Sequence, residues 1–562
     1  MVVSTTLPNA LAAAARSSRG YRFLGARSGE TLRSYADMYA SALRVAGSLA
    51  ALGFVAGDVV AIIVSDPESF LTTLFGASLA GVVPASLYPP ATAADLSSYL
   101  DITAGVLRSC NACGVVTSLP LLPHIDALRA SCPDLSIVVA VDALQGPALA
   151  THATPSADDI AFVQFTSGST STPKGVVITH RNLSANISAF ASPQGVHASD
   201  DDVAVSWLPL YHDMGLVGMA LGAMYTVADV VLMPPEMFVK RPVEWLRAIS
   251  RHKATISFAP TFAYDLAVRR VKDSDLAGLD LSSWRVAGCG AEPIHASTLA
   301  AFAEKFHACG FRETSFLPSY GLAEIVLAAT MSETGRALRV EQLIAHDVAV
   351  RRVATRANGT RAETVSVVGC GTPLPGHDVR IVDEDGRAVP ERHIGEIVLS
   401  GPSVSPGYYN DADATRAAIR NGQLFTGDLG YLSNGELFVC GRMKDLIIVN
   451  GRKYHPQDLE WGVADLAGIR RGRVVAFGTT THAGPERTVV IAEPSGTVPA
   501  GELADAIRRR IVDVCGLLVD DVVLVPSGTV ARTTSGKVKR SATKMLYERG
   551  GLATASAGTS GA

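Results

Sequence analysis

Short apolar runs and longer stretches of helical spacing alternate through the first two thirds of the chain. Leu32 to Leu52 places its apolar residues at helical spacing and stops before Gly53, a C-cap residue. VVAIIV (59–64) follows, a β-branched run of the kind that forms a strand covered on both faces. The alternation continues with a helix over 67–80, a strand in VVPASL, a helical stretch to about Leu107 and a strand in GVVTS. A second series begins after residue 158, with FVQF, VAVSWL, DVVLM, TISFAP and WRVAG as strands between helical segments. Strand and helix in strict exchange predict doubly wound α/β layers. The longest apolar passage, Gly215 to Met233, is interrupted by Gly218, Gly222, Thr226 and Asp229. It therefore predicts a buried helix and strand rather than a membrane span.

The texture changes near residue 363. VSVVG, HDVRIVD, GEIVLSG and GELFVCG are short strands divided by Gly, Pro and Asp turns, which predicts an antiparallel, barrel-like section. After GRMKD (441–445) a smaller α/β pattern begins. The expected fold is thus α/β and multidomain: two α/β subdomains and a distorted β-barrel over residues 1–440, a hinge at 441–445, and a small mobile α+β domain over 446–548. The Gly-, Ala- and Ser-rich residues 549–562 are expected to be a disordered tail.

Composition narrows the function classes. The chain has 562 residues, 48% of them apolar, too many for one core. Its 49 basic and 53 acidic residues nearly balance, which argues against a nucleic-acid or polybasic membrane surface. Eight scattered cysteines fit a reducing compartment, and Cys110 and Cys113 read as buried thiols at helix spacing. No Lys or Arg precedes the first alanine-rich run, so a cytoplasmic monomer without membrane insertion is expected.

Five polar segments remain that packing alone does not require. TSGSTSTPKG (166–175) combines hydroxyls, glycines and Lys174, a set that lets backbone N–H groups and a cation approach phosphate. A solvated polar linker would use the same residue types, and the spacing is not that of a Walker A loop. SYGLAE (319–324) offers Tyr320 for stacking and Glu324 for hard-cation ligation. LFTGDLG (424–430) sets Asp428 in a turn, WLPLYHDMG (207–215) carries His212, and TTSGKVKR (533–540) carries Lys537. Each has an ordinary structural reading when taken alone.

As an ordered set these segments resemble the adenylate-forming superfamily of acyl-CoA synthetases, luciferases and peptide-synthetase adenylation domains, over residues 20 to 548. The resemblance implies that Thr166, Ser167, Gly168, Ser169, Thr170 and Lys174 grip the ATP β- and γ-phosphates. It places Gly290, Ala291 and Glu292 at the adenine edge, and Ser319, Tyr320 and Gly321 beside the ring, with Tyr320 stacked on it. Glu324 with Thr166 would hold Mg²⁺, and Asp428 and Arg442 the ribose. His212 would meet the acyl carboxylate. Met214, Leu216, Val217, Met219 and Met224, on the small-residue helix that follows, are candidates to line the acyl chain, although such a stripe is more often ordinary core. Lys537, His212 and Glu324 form the implied catalytic set, and Lys444 stands at the family's hinge.

SLYPP (86–90), YHDMG (211–215) and NGRKYHPQDLE (450–460) resemble the fatty acyl-AMP ligase branch, which passes the acyl group to a carrier protein instead of coenzyme A. Glu324 and Gly369 are 45 residues apart, which matches that branch's insertion, here 338–366. Val348, Val350, Val353, Val365 and Val367 flank a polar turn in it and predict strands that pack on a neighbour. Lys453, Tyr454 and His455 depart from the Asn-His-Tyr usual in that branch. A conventional acyl-CoA synthetase and a non-catalytic nucleotide-binding partner are the competing readings.

Overall fold

In the computed structural model, which describes residues 5–25, 29–90, 96–166, 173–359, 364–449, 452–464, 466–480, 486–532 and 538–552, both predicted strand series form sheets. Val59–Ile63 is buried at every position, between parallel neighbours Val83–Ser86 and Gly114–Thr117. Ile160–Thr166 joins the same sheet in parallel and then pairs antiparallel with Lys174–Thr179, leaving Thr166 opposite Lys174. The helix His180–Ala191 starts on a capping box between Thr179 and Asn182. The first long helix starts later than its apolar spacing implied. It spans Tyr35–Ala51 because Ser34 caps it with Asp37, which leaves Leu32 in the edge strand Gly29–Ser34.

The second series builds a nine-stranded sheet among the described residues. Gly20–Gly25, Asp229–Leu232, Val203–Ser206, Ile256–Ala259, Val286–Cys289 and Phe316–Tyr320 run parallel in that order. Parallel strands of this kind bind ligands at their carboxyl ends. The segments after Ser206, Ala259, Cys289 and Tyr320 all leave the sheet at that edge. Gly215–Met233 holds a π-helix, Met214–Leu221, then the α-helix Gly222–Thr226 and the strand Asp229–Leu232. Among the described residues no helix is long and apolar enough to cross a membrane.

Beyond residue 363 the strands are antiparallel, as their turns implied. Asp378–Val382, Gly395–Ser400, Gln423–Ser433, Ile419–Arg420 and Glu436–Arg442 form a five-stranded sheet in the place of the expected barrel. The small C-terminal sheet joins Ile469–Thr480, Glu486–Pro494 and Asp521–Leu524 under the helices Pro456–Gly462 and Ala500–Cys515. Arg540 opens a further helix, Arg540–Glu548, and its guanidinium bonds both the carboxylate of Asp445 and buried Glu460. Cys110 and Cys113 do not share a helix. The first follows the helix Leu96–Ser109 and the second precedes Gly114–Thr117, and burial pushes the thiols up to about 12 and about 11.

The insertion folds back on the antiparallel sheet. Val340–Ile344 pairs with Thr364–Val368, and Val348 and Val367 pack with Leu343, Ile394, Leu429, Tyr431 and Phe438, whereas Val350 is exposed. Glu341 is 5% exposed and receives Arg339, Arg356, Arg392, the Tyr431 hydroxyl and Ser433 Oγ. Burial alone would raise its pKa, but the guanidiniums overcome this and hold the carboxyl at about 2. A carboxylate lowered in this way stabilises the fold above its ordinary range near pH 4, and that stability is lost as pH falls toward 2. Glu341→Ala leaves three guanidiniums short of a partner and is expected to cost about 3–5 kcal/mol in denaturant titrations at pH 7. The difference from the parent should shrink on acidification. A loss below about 1 kcal/mol would contradict the network's role.

Candidate active site

A cavity of about 1510 Å³ opens where the parallel strands end. Its wall takes Thr166 and Lys174 from the first sheet, and His212 and Met214 from the segment after Val203–Ser206. Ala291, Glu292, Ser319, Tyr320, Gly321 and Glu324 come from the next two strand ends. Asp428 and Arg442 reach it from the antiparallel sheet, and Lys444, Arg532 and Val538 from the C-terminal part of the chain. Segments more than 350 residues apart in the chain thus share one chamber.

Two carboxylates organise it, Asp428 buried and Glu324 half-buried. Asp428 Oδ2 accepts the Tyr320 hydroxyl at 2.8 Å, Oδ1 accepts Arg442 Nε at 3.0 Å, and its backbone N–H is held by Thr426 Oγ1. Burial lifts the Asp428 carboxyl above its usual range, and Asp428 in turn raises Arg442. Glu324 sits on the turn Ala323–Ile325, where its Oε1 accepts the Tyr408 hydroxyl at 2.7 Å. Burial raises the Glu324 carboxyl too. Lys174 Nζ lies 4.9 Å from the Tyr408 ring centroid, so Lys174 and Glu324 meet across one tyrosine.

Several residues fall differently from the expectation. Leu216 is fully buried and does not line the cavity, nor do Val217 and Met224, because they turn toward the core. Met214 and Met219 do line it, with Gly218 and Gly222. Gly290 stays out of the wall. A Cβ there would stand 2.9 Å from Ser319 O, so its task is close strand packing. Glu292 lines the chamber, but its Oε1 accepts Phe262 N–H at 2.6 Å. Ser167, Gly168, Ser169, Thr170 and Lys537 lie outside the described residues.

Gln164 and Tyr408 were not legible as site residues. Gln164 Nε2 donates to Tyr211 O at 2.7 Å, beside His212, and among the described residues its buried Oε1 meets no donor. Its signal was a polar residue inside the apolar strand FVQF. Tyr408 carried none. His212 Nδ1 lies 2.7 Å from Asp213 Oδ1, which orients the ring at the chamber wall. His455, at the departure in the NGRKYHPQD stretch, is buried against Gly441, where a Cβ would meet its Nδ1 at 2.5 Å. Glycine at 441 makes room for that ring.

Residues 11–409 match the family described as AMP-binding enzyme. The chain belongs to that family. Among AMP-binding relatives, a protein of Caulobacter vibrioides named putative acyl-CoA synthetase is 35% identical over 97% of this chain and 96% of its own. JamA of Moorena producens, a medium-chain-fatty-acid–[acyl-carrier-protein] ligase, is 37% identical over 71% of this chain and 69% of its own. A solved structure from work on fatty acyl-adenylate ligases of E. coli and L. pneumophila superposes with a TM-score of 0.92 at 36% identity, covering 97% of this chain and 98% of that one. The family and fold read from the ordered motifs are both borne out.

Proposed function

We propose that this AMP-binding enzyme joins a fatty acid to AMP and then delivers the acyl group to the phosphopantetheine thiol of a carrier protein, acting as a cytoplasmic monomer. The observation that carries the reading is the convergence of Lys174, Tyr320, Glu324, Asp428 and Arg442 on one cavity whose wall also takes His212 and the apolar Met214 and Met219. The acid's carboxylate oxygen attacks the α-phosphorus and pyrophosphate leaves. The carrier thiolate then attacks the acyl carbonyl and AMP leaves. Lys174 offsets phosphate charge in the first step, the Tyr320 ring faces the base, and the Asp428–Arg442 pair receives the ribose hydroxyls. Gln164 and His212 hold the carboxylate end of the acid. Residues 1–440 act as the adenylating body, 446–548 as the small domain, and 441–445 as the hinge that delivers Lys537.

Glu324 fits Mg²⁺. It is a hard oxygen donor, half-buried beside Lys174, with one oxygen already oriented by Tyr408. Thr166 would be its companion, and the ion would neutralise charge on the phosphates.

The carrier rather than coenzyme A is supported by the insertion, whose turn Asp347–Arg351 lies against the small-domain strand Arg452–Tyr454. That contact resists a rotation of the small domain. Enzyme, dodecanoate, ATP and Mg²⁺ are to be offered coenzyme A or a holo-carrier protein, with products read by mass spectrometry. Acyl-carrier is the expected product, and rapid acyl-CoA formation would establish the conventional synthetase instead.

A further inference from the structure

Lys174–Thr179 is the last strand of its six-stranded sheet and pairs on one edge with Ile160–Thr166. Its other edge is covered by residues 405–409, which run beside it without forming a full strand. Val177 N–H donates to Gly407 O at 3.0 Å, Tyr409 N–H to Gly175 O at 2.7 Å, and the Ser405 hydroxyl to Val177 O at 2.7 Å. Ser405 N–H donates in the other direction, to Glu324 O at 2.8 Å. Asn182 Nδ2, in the helix after the strand, donates to Pro402 O at 2.8 Å and Val404 O at 3.1 Å. One short segment is thus fastened both to the strand that begins at Lys174 and to the turn that carries Glu324.

Tyr408 sends its side chain from that segment to both partners. Its hydroxyl donates to Glu324 Oε1 at 2.7 Å, and its ring centroid lies 4.9 Å from Lys174 Nζ. Its backbone is held by Thr415 Oγ1, which accepts the Tyr408 N–H at 2.9 Å. The choice of side chain matters. A phenol orients a carboxylate without cancelling its charge, as a lysine or arginine partner would. The ring face holds an ammonium without taking it into an ion pair. Lys174 and Glu324 can therefore stand close together and each keep its charge for a ligand. We propose that Tyr408 is a positioning residue that couples metal to nucleotide: its hydroxyl holds the Glu324 carboxylate for Mg²⁺, and its ring holds Lys174 for the terminal phosphates. The inference rests on the proposed function and deepens it. Metal and ATP then tighten each other's binding through one side chain.

The test is calorimetric titration of ATP into the full chain without fatty acid, once in EDTA and once in saturating Mg²⁺. The readout is the ratio of the two dissociation constants. Tyr408→Phe keeps the ring beside Lys174 and removes the hydroxyl. It should lower the ratio on the order of 10-fold, nearly all of it through the Mg²⁺ arm. Tyr408→Leu removes the ring as well and should also weaken ATP in EDTA about 3-fold. Combined with Glu324→Gln, Tyr408→Phe should lower the ratio no further, because the carboxylate it serves is already gone. A tyrosine that only braced the fold would weaken ATP equally with and without metal. That result, or an undiminished loss beside Glu324→Gln, overturns the inference while the adenylation reading stands. A parent protein that binds ATP in neither condition overturns both.

Discussion

Glu324→Gln is expected to lower acyl-adenylate formation by roughly 10²–10³-fold and, in the same protein, to raise the melting temperature measured without nucleotide. Both effects follow from one half-buried carboxylate. Its Oε1 is held by Tyr408, and burial raises its pKa above the usual range. The folded protein therefore binds this proton more tightly than the unfolded chain does. Between the ordinary carboxylate pKa and the raised one, folding stability falls as pH rises, and the cost persists above that window. Glutamine keeps the shape and an acceptor for Tyr408 and removes the charge, so the cost disappears and the melting temperature depends less on pH. It also removes the anionic oxygen proposed for Mg²⁺. Thermal scans across pH and pyrophosphate release are the two measurements. Undiminished adenylation would remove Glu324 from the metal site, and a lower melting temperature would contradict the cost of its burial. Sites of function are where such costs accumulate.

Lys537→Ala is expected to reduce the adenylation kcat by roughly 10²–10³-fold, with little change in the concentration of ATP needed. Lys537 itself lies outside the described residues, but Arg532, Val538 and Lys539 on either side of it in the chain line the cavity. A carboxylate approaching an α-phosphate needs a cation where charge accumulates, and the proposed role of Lys174 is at the terminal phosphates instead. Nucleotide binding by titration and single-turnover adenylate formation separate the effects. Transfer from a supplied acyl-adenylate to the carrier should survive the substitution. An alanine variant that still forms adenylate at the parent rate would remove this lysine from the chemistry.

Much of this was legible beforehand for a reason seen in particular elements. VVAIIV was legible as a strand because a short run of β-branched and small apolar residues can be covered on both faces, and Val59–Ile63 is buried throughout. Thr179 and Asn182 cap their helix through contacts three residues apart. Leu32 misled because its spacing suited the helix, while the stronger local signal was the Ser34–Asp37 box. Leu216 misled because an apolar stripe next to His212 does not say which side faces a ligand. The π-helix there turns Gly218 and Gly222 to the cavity and Leu216 to the core.

The amino-acid order by itself determined the alternating layers, the change to antiparallel strands after residue 363, and the family, since each depends on neighbours along the chain or on motifs in fixed succession. Only the tertiary structure decided that Tyr408 orients Glu324 from 84 residues away and that Tyr320 and Arg442 share Asp428. Such contacts are made by side chains whose separation in sequence carries no period, so nothing along the chain marks them before the sheets bring their ends together.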